Sequence, residues 1–192
     1  MATPKILIFA GSARSASFNK KLAAAAAGMA REAGAEVTLL DLADHRLQMY
    51  DGDDEAGSGV PEDARALRRI FLAHDGLIIA SPEYNSSIAP ILKNTLDWIS
   101  RPDGDDAMVA AYRGKVAGIM SASPGALGGL RGLVNLRSIL GNIGVTMVPQ
   151  QVAISGAAKA FNEDGSLTDE GQAGQVKAVV DAVIRTAGAL KG

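Results

Sequence analysis

The stretch KILIFAGSARSASFNKKLA, residues 5–23, joins an apolar run, a serine-rich segment and the start of a helix. Residues 5–10 form a short continuous apolar run, which is typical of a strand covered on both faces. Residues 18–33 are strong helix formers, and Gly34 follows at the point where such a helix would end. The stretch therefore predicts a strand, a polar loop and a helix, which is the beginning of a parallel β–α–β unit.

Strand and helix alternate along the rest of the chain. Apolar or β-rich runs predict four further strands, at 36–41, 76–81, 115–120 and 146–154, with Pro149 interrupting the last. Helical patterns follow the strands, so the whole reads as β–α repeated five times. This alternation predicts an α/β fold with a mainly parallel five-stranded sheet and helices on both faces. Because no repeat or linker divides the chain, we expect one domain over residues 1–192.

Individual proline and serine residues predict where the helices begin. Pro61 predicts the first turn of one helix, and Ser87 predicts the cap of another whose first turn contains Pro90. The polar segment 43–60, ADHRLQMYDGDDEAGSGV, has no clear period and predicts a loop. Its acidic part, 51–57, lacks the ligand spacing of a calcium-binding loop, so we expect a solvated loop and no metal site.

The composition narrows the classes of function. The 192 residues include no cysteine, so the chain has no disulfide and no redox dithiol, and any redox chemistry must belong to a bound cofactor. A net charge of −2 gives no reason to expect a nucleic acid or a membrane as partner. The N-terminus lacks a signal-peptide pattern, and no apolar run reaches the ~18 residues typical of a membrane-spanning helix. A cytoplasmic protein is the expectation.

The most unusual loops follow three of the predicted strands, at 11–19, 81–87 and 121–129. In a sheet of order 2-1-3-4-5 the first, third and fourth strands are neighbours. Ligands of open α/β sheets bind outside the carboxyl ends of the strands, near the point where the strand order reverses. We therefore expect these three loops to converge on a single crevice.

The first of these loops has the chemistry of a phosphate site. We expect Gly11 to let the chain turn sharply. Ser12, Ser15 and Ser17 can donate hydroxyl hydrogen bonds, Arg14 can add a charge-assisted pair, and the following helix presents free backbone N–H groups. The simpler alternative is that Ser17 only caps the helix and Arg14 is only solvated. Neither GxxxxGK[ST] nor GxGxxG is present, which argues against a P-loop or a dinucleotide fingerprint.

The second and third loops also carry ligand-binding residue types. Pro82 restrains the chain, Tyr84 offers a flat amphipathic ring, and Asn85 offers a polar edge. Glu83 is a candidate general base, although we favour a role in accepting backbone hydrogen bonds and shaping the loop. The glycines of segment 121–129 either permit close approach to a ligand or belong to an ordinary strand-to-helix turn.

Three motifs together resemble the NADPH-dependent FMN reductase family, which includes chromate, quinone and some azo reductases. They are GSARSASFNKKLA (11–23), SPEYNSSIAPILKNTLDW (81–98) and SPGALGGLRG (123–132). The resemblance covers the order of elements over nearly the whole chain. It implies a flavodoxin-like three-layer sandwich, with a parallel sheet of order 2-1-3-4-5 and FMN as cofactor. One departure is Ala89-Pro90, where the family usually has proline-glycine.

The resemblance implies a cofactor site built from all three loops. The FMN phosphate would be held by Ser12, Arg14, Ser17, Asn19 and the backbone of Phe18. The isoalloxazine and ribityl groups would be lined by Pro82, Glu83, Tyr84, Asn85 and Ser86. Ser123, Pro124 and Gly125 would approach the flavin from the fourth strand.

The resemblance also implies a reaction. NADPH or NADH would deliver a hydride to the flavin and leave, and an acceptor would then take its place in a ping-pong cycle. Quinones, free flavins, azo compounds and metal anions such as chromate are the implied acceptors, and no protein acid or base is assigned. The family further implies a homodimer or homotetramer whose partner subunit helps to wall the flavin site. Segment 101–113, with Met108 and Tyr112, is a candidate contributor to that wall; the alternative is that its apolar residues simply close the core.

Two alternative functions remain at this point. An electron-carrier flavodoxin would have the same fold, but such carriers typically have a TxTGxT phosphate loop and a strongly acidic surface. A hydrolase would use Ser12 or Ser81 as nucleophile, but no GxSxG elbow is present. The two histidines, His45 and His74, are expected away from the crevice, in structural or solvated positions.

Overall fold

The computed structural model describes residues 3–191. The elements in chain order are β1 (Lys5–Ala10), α1 (Phe18–Glu32), β2 (Glu36–Leu40), α2 (Gly52–Ser58), α3 (Glu62–Leu72), β3 (Gly76–Ala80), β4 (Glu83–Tyr84), β5 (Ser87–Ile88), α4 (Pro90–Ser100), β6 (Val116–Ala122), α5 (Leu130–Asn142), β7 (Thr146–Ile154) and α6 (Glu170–Lys191). Within this range no helix has both the length and the apolar character needed to cross a bilayer.

Five strands form one sheet in the order β2-β1-β3-β6-β7, and every neighbouring pair is parallel. The order of the five strands expected from the sequence is confirmed, with β6 and β7 as the fourth and fifth. Leu7 of β1 is level with Leu77 of β3, and Ile78 of β3 is level with Gly118 of β6. The central strand β3 is buried along its whole length, as expected for a parallel strand with helices on both faces.

The core has two layers, one on each face of the sheet. Because successive side chains of a strand point to opposite faces, Ile6 and Ile8 pack with α1 and α6, whereas Leu7 and Phe9 pack with α3, α4 and α5. The alanine-rich sequence of α1 allows that helix to lie close to the sheet, and its alanines at positions such as 26 and 27 are fully buried. The result is the three-layer arrangement of a flavodoxin-like fold.

Backbone hydrogen bonds extend the sheet to the first residue after each of the strands β1, β3 and β6. The Gly11 N–H donates to the Ala80 carbonyl at 2.9 Å, and the Ser81 N–H donates to the Met120 carbonyl at 2.8 Å. The Ser123 N–H continues the series with the β7 carbonyl of residue 154, at 3.0 Å. The three loops therefore leave neighbouring strands at the same edge of the sheet, as the sequence predicted.

The prediction of a loop over 43–60 is wrong in part. Leu42–Asp44 form a 3₁₀ turn, whose cap is Asp41: its carboxylate accepts the Ala43 N–H at 2.9 Å. Helix α2 begins after Asp51, whose carboxylate accepts the Asp53 N–H at 2.8 Å. The acidic residues that suggested a solvated loop instead lie in the first turn of α2, where negative charge is favoured by the helix dipole.

The structure also differs from the sequence prediction at the start of α4 and at the proline of the last strand. Ser87 does not cap α4, because it pairs with Tyr84 in a short hairpin, and Ala89 occupies the N-cap position without a side-chain bond. Ala89 is extended, as a residue before proline must be, and Pro90 is the first helical residue. Strand β7 runs through Pro149, which is accommodated by a register irregularity on this edge strand of the sheet.

Candidate functional site

The loop between β1 and α1 presents hydrogen-bond donors at the start of a helix. The Ser17 hydroxyl accepts the Lys20 N–H at 3.4 Å, which caps α1 and leaves the hydroxyl hydrogen available. The N–H groups of Phe18 and Asn19 lie in the first turn, where the helix supplies no carbonyl partner. Arg14 is exposed and forms no ion pair with any carboxylate within residues 3–191. The loop therefore places several hydrogen-bond donors around the positively polarised N-terminus of α1, an arrangement that can bind a phosphate group.

Gly11 allows close packing at a bend of the chain. The backbone bends at Gly11, as the sequence predicted, but its φ is outside the left-handed region, so the bend itself does not require glycine. A Cβ at this position would lie 2.8 Å from Cδ2 and 3.0 Å from Cβ of Leu92. The glycine therefore allows α4 to pack directly under the loop, and it brings the first and second loops together.

The side chain of Asn19, unlike those of the other predicted phosphate ligands, forms hydrogen bonds inside the protein. Its Nδ2 donates to the Ala122 carbonyl and its Oδ1 accepts the Ala122 N–H, both at 3.0 Å. The side chain is buried and ties α1 to the end of β6. Only the backbone N–H of Asn19 belongs to the group of donors at the start of the helix.

The second loop is a two-residue hairpin that the sequence did not predict. Strands β4 and β5 are antiparallel, and the residues between them, Asn85 and Ser86, have positive φ values of 51° and 66°. Two successive positive φ values identify a type I′ turn, which matches the twist of paired strands. The exposed tip of this hairpin carries Tyr84, Asn85 and Ser86 beyond the edge of the sheet, while Pro82 and Glu83 are partly buried at its base.

The hairpin is attached to the start of α5. The Glu83 carboxylate pairs with Arg131 at 2.7 Å and accepts the Gly132 N–H at 3.2 Å. Asn135 Nδ2 donates to the Ser86 carbonyl at 2.7 Å. Burial alone would raise the pKa of Glu83, but the hydrogen bonds from Arg131 and Gly132 outweigh burial and hold that pKa below its ordinary value. Glu83 thus accepts a backbone N–H and shapes the loop, the role favoured from the sequence.

The glycines of the third loop serve contacts within the protein. Gly128 and Gly129 have positive φ, and a Cβ on Gly128 would lie 2.8 Å from backbone carbons of β7. A Cβ on Gly129 would lie 2.9 Å from Ser121, whose hydroxyl donates to the Gly128 carbonyl at 2.7 Å. By contrast Gly125 is exposed, and its N–H donates to the Ser123 hydroxyl at 3.3 Å. Together with the exposed Pro124, this part of the loop is open at the end of β6.

A cleft of ≈400 Å³ joins the first two loops. Its lining comprises Gly11, Ser12, Ala13, Arg14, Tyr84, Ala89, Pro90 and Ile91. A second cleft, of ≈320 Å³, shares Ala13 and Ile91 with the first and extends to the loop after β2, where it includes His45 and Arg46. His45 is therefore outside the lining of the cleft between the first two loops, and it lines the neighbouring cleft. The loop after β2 returns against α4 and brings this histidine beside the predicted site.

Several other residues singled out in the sequence make contacts within the protein. Tyr112 is fully buried and donates from its hydroxyl to the Leu96 carbonyl at 2.9 Å, so it closes the core, whereas Met108 is exposed. Ser81 is also buried, and its hydroxyl donates to the Pro82 carbonyl. His74 contacts the Ile70 carbonyl and the Thr38 hydroxyl, and it does not contact Ser81 or Ser12.

Sequence reasoning did not assign Arg131 or Asn135, which hold the hairpin. Both lie on the exposed side of α5; Arg131 is part of the motif at 123–132, but that motif indicated no partner for it, and nothing in the sequence distinguishes Asn135 from a solvated residue. Their partners are 48 and 49 positions away along the chain. Only the packing of the hairpin on α5 reveals their function.

The chemistry of the site fits a phosphate-bearing cofactor. Ser12, Ser17, Arg14 and the free N–H groups of the first turn of α1 supply donors and positive charge, and a cleft lined by a tyrosine lies beside them. A flat aromatic ring system needs such a cleft, whereas a phosphate needs such donors. FMN combines both groups, so the residues present fit this cofactor.

Comparisons with known proteins agree with this assignment. The sequence model of the family described as NADPH-dependent FMN reductase matches residues 4–159. An NAD(P)H-dependent FMN reductase of Pseudomonas aeruginosa is 35% identical over 167 residues, which cover 86% of this chain and 85% of the relative. A 2-hydroxy-1,4-benzoquinone reductase of a Burkholderia species is 34% identical over 167 residues, which cover 86% of each protein.

A solved structure is similar over almost the entire chain. FerB, a flavoenzyme NAD(P)H:(acceptor) oxidoreductase from Paracoccus denitrificans, has a TM-score of 0.83 at 30% sequence identity, covering 97% of this chain and 98% of that one. The electron-carrier and hydrolase alternatives are set aside by these relatives, which are oxidoreductases. The chain therefore belongs to the NADPH-dependent FMN reductase family, with FMN as its cofactor and a reduced nicotinamide dinucleotide as its electron donor.

Proposed function

We propose that the protein is an NAD(P)H oxidoreductase that reduces small acceptors, with quinones as the first class to test. The observation that carries the proposal is the set of unengaged donors at the start of α1, next to a cleft that the hairpin borders. When bound, FMN supplies two-electron redox chemistry, accepting electrons from the nicotinamide and passing them to the acceptor. A relative named as a 2-hydroxy-1,4-benzoquinone reductase supports the choice of quinones.

The first loop holds the phosphate in this proposal. The hydroxyls of Ser12 and Ser17 and the guanidinium of Arg14 donate to phosphate oxygens, together with the backbone N–H groups of Phe18 and Asn19. Charge-assisted hydrogen bonds of this kind are short and strong, and the helix dipole adds to them. The buried Asn19 side chain keeps the start of α1 in place against β6.

The hairpin and the third loop hold the ring system. Pro82 and Glu83 form the base of the hairpin, and Tyr84, Asn85 and Ser86 lie along the ring. In a type I′ turn the N–H groups of the two central residues are not used by the turn itself, so those of Asn85 and Ser86 are available to donate to ring oxygens and nitrogens. Ser123, Pro124 and Gly125 approach the same ring from β6.

The donor and the acceptor use the same opening in turn. In this proposal FMN takes the ≈400 Å³ cleft beside Tyr84 and Arg14, so the donor and the acceptor would bind one at a time on the solvent-facing side of that cleft, next to the exposed Tyr84. Sequential occupancy of one opening corresponds to ping-pong kinetics, and it suits quinones, free flavins, azo compounds and anions such as chromate as acceptors. No side chain is assigned as acid or base, because Glu83 is already engaged by Arg131 and Gly132.

We further propose that the chain acts as one FMN-binding domain in the cytoplasm and assembles as a homodimer or homotetramer. A partner subunit would cover the cleft, which is open to solvent on the exposed side of Tyr84. Sedimentation at several protein concentrations tests this assembly directly.

The first experiment is the visible absorption spectrum of the purified protein, recorded before and after anaerobic addition of NADPH. Flavin bands that bleach support the proposed function. Absence of flavin bands after incubation with FMN and desalting overturns it, and bands that persist with both NADPH and NADH overturn the assignment of the donor.

A pair of arginine variants tests the phosphate loop. Arg14→Gln should raise the dissociation constant of FMN about 10- to 100-fold, as expected for loss of a charge-assisted hydrogen bond. Arg31→Gln is the matched control, because Arg31 is also exposed and lies near the other end of α1. Equal FMN affinity in the two variants would remove Arg14 from the site.

A further inference from the structure

We propose that Arg46, with His45 beside it, binds the 2′-phosphate of NADPH and makes the protein prefer NADPH to NADH. The proposal rests on the proposed function, because it concerns the donor of the same reaction. It assigns the second cleft to the adenosine end of the dinucleotide, with the nicotinamide end on the solvent-facing side of the first cleft, where FMN would bind.

The two clefts are adjacent, with two lining residues in common. The ≈320 Å³ cleft is lined by Leu42, Ala43, His45, Arg46 and Leu47 on one side and by α4 residues on the other. It shares Ala13 and Ile91 with the cleft beside the predicted flavin site. A dinucleotide whose nicotinamide lies at the solvent-facing side of the first cleft can therefore extend along the surface past Ala13 and Ile91 into the second.

The loop that carries His45 and Arg46 is held at both ends. Before them, Asp41 caps the 3₁₀ turn and also pairs with Lys20 at 2.7 Å. After them, the Gln48 carbonyl accepts hydrogen bonds from Asn94 Nδ2 and Trp98 Nε1, each at 2.8 Å, and the N–H of residue 50 donates to the Asn94 side chain. The loop is thus fixed against α4 before any ligand binds, which lowers the entropic cost of binding.

The charges of this loop suit a phosphate monoester. Arg46 is exposed and forms no ion pair within residues 3–191. Asp44, the acidic residue nearest to it in the loop, does not line the cleft, and the Asp41 carboxylate is already engaged. A guanidinium donates two parallel hydrogen bonds to a phosphate, and His45 adds a ring nitrogen at the same wall. NADH has a hydroxyl at this position and gains no such interaction.

Polar groups on α4 complete the opposite wall. Asn94 lines the cleft, but its amide is used to hold the loop. Thr95 also lines the cleft, and its hydroxyl donates to the Ile91 carbonyl at 2.8 Å. With these groups engaged inside the protein, the selective contacts to a 2′-phosphate come from Arg46 and His45.

The test compares FMN-saturated wild-type protein with Arg46→Gln and with Arg31→Gln as the matched control. The ratio of kcat/KM for NADPH to that for NADH should fall about tenfold in Arg46→Gln and stay at the wild-type value in Arg31→Gln. Calorimetry with 2′,5′-ADP and with 5′-ADP gives a readout that does not depend on turnover. Wild-type protein should bind 2′,5′-ADP about tenfold more tightly than 5′-ADP, and Arg46→Gln should bind both alike.

The outcomes separate this inference from the proposed function. Equal binding of 2′,5′-ADP and 5′-ADP by the wild-type protein overturns the inference, even if the protein oxidises both dinucleotides. An unchanged selectivity ratio in Arg46→Gln also overturns it. If FMN does not bind, the proposed function fails, while tighter binding of 2′,5′-ADP that requires Arg46 still supports a 2′-phosphate site.

Discussion

The Glu83 carboxylate and the Arg131 guanidinium lie 2.7 Å apart and join the β4–β5 hairpin to the first turn of α5. A two-stranded hairpin is marginal by itself in water, so attachment to the rest of the protein determines its position. Glu83 also accepts the Gly132 N–H, where a carboxylate is favoured by the helix dipole. In this arrangement the end of one helix sets the position of the hairpin that borders the cleft.

Removal of the ion pair between Glu83 and Arg131 should lower the free energy of unfolding. Because both variants remove the same interaction, their effects should not add. Glu83→Gln and Arg131→Gln should each reduce the free energy of unfolding by ~1 kcal/mol, because Glu83 is largely buried although Arg131 is exposed. The double variant should lose little more than either single one, with a coupling of ~0.5–1 kcal/mol. Urea unfolding of the four proteins gives this value.

The matched control is the Arg69–Glu62 pair of α3, which has similar geometry at 2.7 Å but both partners exposed. Its coupling should be at most ~0.5 kcal/mol, because water and salt screen exposed pairs. Equal coupling in the two pairs would contradict a special role for the hairpin attachment.

Substitution of two glycines by alanine should change the free energy of unfolding in opposite directions. Gly11→Ala places a Cβ 2.8 Å from Leu92 Cδ2, and we expect a loss of ~1–3 kcal/mol from overpacking. Gly28→Ala lies within α1 and meets nothing within 4 Å, so it should gain ~0.5–1 kcal/mol from helix propensity. Thermal and urea unfolding of both variants measure the difference. A Gly11→Ala protein as stable as the wild type would show that the loop and α4 are not tightly packed.

Asn19→Ala should destabilise the protein because it leaves both polar groups of the Ala122 backbone without a partner. The expected loss is ~2–4 kcal/mol, the cost of two buried unsatisfied groups. Asn142→Ala, at the exposed end of α5, is the control and should change stability by less than ~0.5 kcal/mol. If both variants unfold at the same urea concentration, the tie between α1 and β6 is not important for stability.

Low pH should destabilise the folded protein, in part because it protonates the carboxylate of Asp75. Burial alone would raise the pKa of Asp75, but hydrogen bonds from Lys191 at 2.8 Å and from the Lys5 N–H at 2.7 Å outweigh it, and this pKa lies below its ordinary value. The stabilisation is therefore complete above the unfolded-state pKa of about 4 and is lost as the pH falls through the lower folded-state pKa.

The measurement is the free energy of unfolding between about pH 7 and pH 3 for wild type, Asp75→Asn and Asp63→Asn. Asp75→Asn should lose less stability between neutral and acid pH than the wild type. Asp63 forms no ion pair within the described residues, so Asp63→Asn should follow the wild-type curve. Parallel curves for all three proteins would exclude Asp75 as a contributor.

Periodicity and local chemistry were enough to predict the sheet and the meeting of the first two loops at one cleft. Apolar runs such as 5–10 and 76–80 are strands because they are buried on both faces, and this property is visible in the residues themselves. The donors at the start of α1 were also predictable, because Ser17 and the first-turn N–H groups act within a few residues of one another. The hairpin at Asn85 and Ser86 was missed, since neither residue is glycine and the turn requires two positive φ values.

The alternation of strands and helices, the parallel sheet and the group of donors at the start of α1 follow from the amino-acid sequence alone, because each depends on residues that are near one another in the chain. Which side chains hold the three loops in place, and which remain available to a ligand, depends on contacts between elements that are distant in the chain. Glu83 meets Arg131 across 48 positions and Asn19 meets Ala122 across 103. The loop after β2 likewise reaches α4 and brings His45 and Arg46 beside the cleft. Such contacts follow from where distant elements pack, and local residue patterns do not contain that information.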